Sequence, residues 1–115
     1  MTFRTYLFLF ILALIPPILI AQFQPAPGYL DSDYYFAGGL QLVSGKGFTE
    51  PYMWNYLDGS TALPHPSHAY WQPLASIVAA FGMWLTGQTT YASARLFFIL
   101  IAGLVAPVTA HLAYR

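Results

Sequence analysis

Two runs of residues too apolar to rest in water bracket this chain, and they limit its possible folds more than any other feature. Tyr6 to Phe23 carries no charged residue, and a helix of that length comes close to the roughly 20 residues needed to cross about 30 Å of hydrocarbon. Leu96 to Tyr114 is a second such run, flanked by Arg95 and Arg115. Between them, the polar and aromatic-rich segment from Tyr29 to Pro73 holds every carboxylate in the sequence. With 57% hydrophobic and only 7% charged residues, against about a quarter charged in soluble domains, the composition is that of a membrane protein. The four basic residues, Arg4, Lys46, Arg95 and Arg115, are scattered, so no basic patch exists to hold a nucleic-acid backbone. The absence of cysteine removes disulfides, thiolate metal sites and a thiol nucleophile together.

In chain order, 6–23 is expected to form a first transmembrane helix, with Pro16-Pro17 kinking it or turning its outer third. A cleaved signal peptide is the rival, since Arg4 resembles a positive leader end, but the stretch up to Phe23 shows no clear small-x-small cleavage site. Gln24-Pro25-Ala26-Pro27-Gly28 ends the helix, because each proline disfavours helix in the residue before it. Asp31 or Ser32 is suited to cap a following short helix, about 33–43, that closes at Gly45. From Lys46 to Tyr70 the pattern is irregular, with Gly, Pro, Asn and Asp among the aromatics Phe48, Tyr52, Trp54, Tyr56 and Tyr70. Pro73 suits the first turn of another helix, about 73–85. That helix would reach only some 18 Å, which fits an interfacial position better than a crossing. A polar break leads to a second spanning helix over 94–114. The expected fold is an all-α membrane protein, one unit over 1–115. Two transmembrane helices, or three if the Pro73 helix crosses, are joined by a large extracytoplasmic loop, 24–93, with juxtamembrane helices.

With two crossings, Arg4 and Arg115 both fall on the cytoplasmic side, as the positive-inside rule prefers. With three, Arg95 becomes cytoplasmic and Arg115 external. The acidic loop is external either way, and the expected location is the plasma membrane, multi-pass.

Asp31 and Asp33 are candidates for a general base and its partner, since a carboxylate beside a membrane can take a proton from an attacking hydroxyl; such catalysis is worth about 10²- to 10⁴-fold. The plainer alternative is helix capping. The loop aromatics can stack on sugar faces or form an interfacial belt. Arg95 can bind a lipid phosphate or simply snorkel at a helix end. His65 and His68 are three apart, but the intervening Pro66 argues against one shared face and no third ligand is evident, so a divalent metal is not supported. His111 sits in the last apolar run, suited to packing between helices. No phosphate-cradling glycine loop occurs, and no cofactor is evident.

The order of these features resembles the N-terminal part of the C-type membrane glycosyltransferases, a superfamily that includes protein mannosyltransferases and aminoarabinose transferases. Asp31-Ser32-Asp33-Tyr34-Tyr35 stands where that family opens its outer loop with an acidic motif. Gly45-Lys46-Gly47-Phe48 resembles its Gly-x-Gly-aromatic helix end. His68-Ala69-Tyr70-Trp71-Gln72-Pro73-Leu74 approximates its His/Pro/Pro-Leu stretch, and Ala94-Arg95-Leu96 its Ala-Arg-Leu. The similarity covers nearly all of the chain. It implies a transferase moving a sugar from a polyprenyl-phosphate carrier to an acceptor outside the cytoplasm. Asp31, which matches the family's first acid by its distance to Tyr35, would then be the base or its partner, with Asp33 the alternative, because related oligosaccharyltransferases place an aspartate closer to the aromatic pair; Ser32 stands where the family usually has glutamate. Tyr35, Arg95, His68 and Trp71 would contact substrate, Arg95 at the carrier phosphate. The family's greater length implies a fragment of a larger polytopic bundle, inactive alone and needing the remaining helices. The rival functions are a small non-enzymatic membrane protein whose outer loop binds a partner or lipid, and a secreted, signal-bearing binding module.

Overall fold

A computed structural model describes residues 2–53 and 62–114. Trp54, Tyr56 and Arg115, named above for the aromatic loop and for orientation, lie outside the described residues. The chain is mostly helical, in the order α1 (Phe3–Phe23), α2 (Leu30–Val43), β1 (Thr49–Glu50), β2 (His65–Pro66), α3 (Leu74–Thr86), α4 (Tyr91–Ala94) and α5 (Leu96–Tyr114). Among the described residues, helix α1, and α4 with α5, are the two stretches long and apolar enough to cross a membrane.

These two helices pack antiparallel, and three contacts along their length give the register. Tyr6 Oη lies 2.9 Å from His111 Nδ1, Gly103 faces Phe10 and Leu14, and Arg95 Nη1 donates to the carbonyl of Gln24. A side chain at Gly103 would sit 2.9 Å from Phe10 Cε2 and nearer still to Leu14. Close helix approach through a small residue is how apolar helices associate where hydrophobicity offers no drive between them. Most large residues of both helices point outward, including Ile11, Leu19, Ile101 and Val105. Pro16 and Pro17 lie inside α1, which continues as one helix through them. It begins at Phe3 rather than near Tyr6, because Thr2 caps it through a hydrogen bond from the Thr5 backbone.

The other pair, α2 and α3, runs parallel: Gly38 faces Ser76, and Gly39 faces Ala79 and Met83. Parallel neighbours cannot be joined by a tight turn, so the chain must return along the pair through the segment from Ser44 to Pro73. That return holds a minimal antiparallel ladder, Thr49 opposite Pro66 and Glu50 opposite His65, which the all-α expectation did not include. Helix α2 closes with backbone bonds from Gly45 to Leu42 and from Lys46 to Gln41, and Gly45 takes φ +74°. This is the left-handed termination that favours glycine. Helix α3 ends in the same way at Gly87, φ +66°.

Three further boundaries differ from expectation. Helix α2 starts at Leu30, and its N-cap is Tyr29, with no side-chain cap bond; neither Asp31 nor Ser32 caps it, because both already lie within its first turn. Pro73 precedes α3 as its N-cap instead of occupying the first turn. The polar break after Gly87 is shorter than expected, since Thr90 caps α4 through the Ser93 backbone.

Met83, Ala79 and Ala94 form the buried centre, with Phe36, Leu40 and Val43 against it. Adding a methyl group at an unencumbered helical glycine gains about 1 kcal/mol. At Gly39 the new Cβ would stand 3.0 Å from Ala79 Cβ, where overpacking costs about 1–3 kcal/mol. Gly39→Ala is therefore expected to destabilise the protein, read as a lower thermal midpoint in detergent.

Candidate functional site

The expected site residues divide into two groups on either side of α2. Tyr35 and Arg95 come together in a cleft of about 190 Å³, with Ser32, Phe36, Tyr91 and Phe98 among its walls. Its floor is small residues, Ala75, Ala79 and Ala94, which is why a space exists between three helices. Arg95 lies with its guanidinium 5.3 Å from the centre of the Tyr91 ring, one helical turn away in sequence. Phe36 meets the same ring edge-on at 5.6 Å. One guanidinium N–H is held by the Gln24 carbonyl, and a guanidinium carries five. Among the described residues no carboxylate pairs with it. The cleft is thus an apolar and aromatic slot with one fixed cation and donors to spare.

Asp31 and Asp33 both occupy the first turn of α2 and are exposed. Two residues apart on a helix, they point about 200° from one another, so they do not share a face. Asp31 precedes Tyr35 by four residues, but Ser32, Tyr35 and Phe36 are the α2 residues that line the cleft, and helical spacing sets Asp31 and Asp33 on opposite flanks of that face. The field of Asp33 instead reaches Tyr52: burial, then Glu50, then Asp33 push that phenol up to about 12.

His68 and Trp71 belong to the second group, built around Tyr34, which is buried. The rings of His68 and Trp71 lie 5.2 Å and 5.1 Å from that of Tyr34. The backbone N–H of His68 donates to Tyr34 Oη at 2.6 Å. Its Nδ1 is 2.6 Å from Ser67 Oγ, and its Nε2 is 3.0 Å from Ser76 Oγ on α3. His68 holds φ +63°, a conformation that costs about 1–3 kcal/mol for a non-glycine residue; the three hydrogen bonds and the aromatic contacts offset it. This clasp fastens the return segment to α2 and α3. Gly38 is required beneath it, since a Cβ there would stand 3.1 Å from His68 Cε1 and closer to Ser76 Oγ.

His65 faces elsewhere. Its ring nitrogens lie 2.9 Å from the Pro66 carbonyl and 3.1 Å from that of Tyr52, and Nε2 is 3.8 Å from the buried Glu50 carboxylate. Both histidines are committed within the loop and do not converge. His111, on α5, pairs with Tyr6.

Sequence reasoning passed over Tyr34, Ser76 and Tyr91, which organise both groups. The signals were present: glycines four and five positions after Tyr34, and an aromatic four positions before Arg95. Burial lowers the His68 imidazole from its ordinary 6.5. Below that pH the unfolded chain binds more protons at this residue than the folded one, so stability falls on acidification and is recovered as pH rises above 6.5. His68→Gln is expected to flatten that part of the stability profile between pH 7 and 5, measured by denaturant titration.

Comparison of the chain with family models, curated proteins and solved structures found no match.

Proposed function

We propose that this chain is the N-terminal, membrane-anchored part of a glycosyltransferase that moves a sugar from a polyprenyl-phosphate carrier to an extracytoplasmic acceptor. The observation that carries the reading is the cleft shared by Tyr35 and Arg95, with Asp31 exposed in the same first turn of α2 next to the cleft residue Ser32, at the end of two apolar helices. The order of the motifs, acidic opening, Gly-x-Gly-aromatic end, His-to-Pro-Leu stretch and Ala-Arg-Leu, supports it independently. At about 190 Å³ the cleft is below the roughly 300–1,000 Å³ of whole small-molecule pockets. It suits a phosphate and the nearest part of its sugar, with the polyprenyl chain lying along the apolar helices.

In this reading Asp31 accepts the proton of the acceptor hydroxyl as that oxygen attacks the anomeric carbon. The bond from that carbon to the phosphate oxygen breaks, and the oxygen leaves with the electron pair. The planar donors of Arg95, fixed by Gln24 and Tyr91, stabilise the added phosphate charge. Asp33 acts at a distance through the Tyr52 region. The remaining helices of the larger enzyme complete the site.

The second reading is a small non-enzymatic membrane protein whose outer loop is the binding surface. The exposure of Phe48 and Tyr70 on that loop favours it.

In the longest protein that contains these residues, Asp31→Asn is expected to lower sugar transfer from a polyprenyl-phosphate donor by about 10²-fold or more. Membrane insertion should be unchanged. Arg95→Lys should weaken donor use by removing the fork. Transfer at the parental rate in both variants would remove the catalytic assignment and leave the binding reading.

A further inference from the structure

Ser67, His68 and Ser76 form a connected row of polar atoms outside the Arg95 cleft. Ser67 Oγ lies 2.6 Å from His68 Nδ1, and His68 Nε2 lies 3.0 Å from Ser76 Oγ. Nucleophilic serines share this pattern, a hydroxyl within about 2.6–3.2 Å of a base and the base oriented in turn by a third group. The two distances assign the protons. An N–H donor stands about 2.7–3.2 Å from its acceptor, whereas a hydroxyl donor comes closer. The shorter contact is therefore the Ser67 O–H donating to Nδ1, and the longer one is Nε2–H donating to Ser76 Oγ. Nδ1 keeps its lone pair toward Ser67, as a general base must.

The surroundings fit that role. Burial lowers the imidazole from its ordinary 6.5, so the ring is a neutral base at pH 7. Ser76 is wholly enclosed, and its oxygen fixes the tautomer of the ring as an aspartate does in serine hydrolases, though without the charge. The left-handed His68 backbone, φ +63°, is the kind of strain that collects at reacting sites. Ser67 itself is half-buried, which leaves it within reach from outside. Its backbone N–H donates to the Phe48 carbonyl at 2.9 Å. The Phe48 ring meets His68 edge-on at 5.5 Å and is 46% exposed, so an apolar surface stands beside the hydroxyl.

We propose that Ser67 is an activated nucleophile that cleaves carboxylic esters with an apolar acyl group. Ser67 Oγ adds to the ester carbonyl carbon as its proton passes to His68 Nδ1. The bond from that carbon to the alcohol oxygen breaks, and the leaving oxygen takes the proton from Nδ1. Water then attacks the acyl carbon and gives a proton to the same nitrogen, and Ser67 Oγ leaves with that proton. This activity is separate from sugar transfer, since it uses neither Asp31 nor Arg95 and lies across α2 from their cleft.

The test treats the full chain in detergent with an alkyl fluorophosphonate, which loses fluoride when a serine oxygen attacks its phosphorus, and locates the adduct by peptide mass spectrometry. The adduct is expected at Ser67, absent in Ser67→Ala, and formed at least about 10²-fold more slowly in His68→Gln. Circular dichroism checks that both variants are folded. In the unaltered chain the labelling rate should be level above pH 7 and fall below 6.5 as His68 gains its proton. Release of p-nitrophenol from p-nitrophenyl butyrate should follow the same profile and drop to the uncatalysed rate in Ser67→Ala. If His68→Gln does not fold, the pH profile of the unaltered chain decides. No adduct at Ser67, or no ester cleavage that depends on it, overturns the proposal. So does a labelling rate that ignores His68→Gln or climbs steadily to pH 9, since that is the behaviour of an ordinary exposed hydroxyl. None of these outcomes bears on the effect of Asp31→Asn or Arg95→Lys on sugar transfer.

Discussion

The close approach of α2 and α3 is the constraint on which the rest depends. Two helices can come this near only where one side lacks a side chain and the other carries a small one, and Gly38 and Gly39 against Ser76 and Ala79 meet that condition. The approach sets both sides of the pair. On one side, Phe36 and Tyr35 are left to wall a cleft whose floor is alanine. On the other, Tyr34 is pressed against the return segment closely enough for its hydroxyl to take the His68 backbone proton. Larger residues at these positions would part the helices and dismantle cleft and clasp together.

Parallel packing has its own requirement, a long return, and the described residues of that return hold little regular structure. A two-residue ladder, a buried His65–Glu50 pair and the strained His68 are what hold that return down. Each is modest alone. Together they fix the described parts of that return, up to Met53 and from Ala62 on, against α2 and α3. The aromatic rings around Tyr34 exclude water from those hydrogen bonds and so strengthen them.

Helices were legible in the sequence because length, apolarity and punctuation act locally. The runs to Phe23 and Tyr114, the glycines at 45 and 87, and the short helix after Pro73 needed only neighbouring residues to be read. The start of α2 was misplaced because Asp31 and Ser32 are good caps in isolation, whereas here the first turn is set by the extended exit through Pro27 and Gly28. The meeting of Tyr35 with Arg95 follows from tertiary packing across sixty positions, and only a motif order hinted at it. The separation of Asp31 from Asp33 was implicit in helical spacing once the helix was known to begin before them. The role of Tyr34 was hidden because a buried tyrosine looks like any interfacial aromatic until its hydroxyl has a partner.

The bond from Arg95 to the Gln24 carbonyl joins the last residue before α5 to the first residue after α1. During synthesis Gln24 leaves the ribosome long before Arg95, with the whole head segment emerging in between. The slot walled by α2, α3, α4 and Phe98 of α5 therefore has no closed form until α5 has been delivered. Its closure is timed by the arrival of α5 against α1 and not by the order in which the head itself is made.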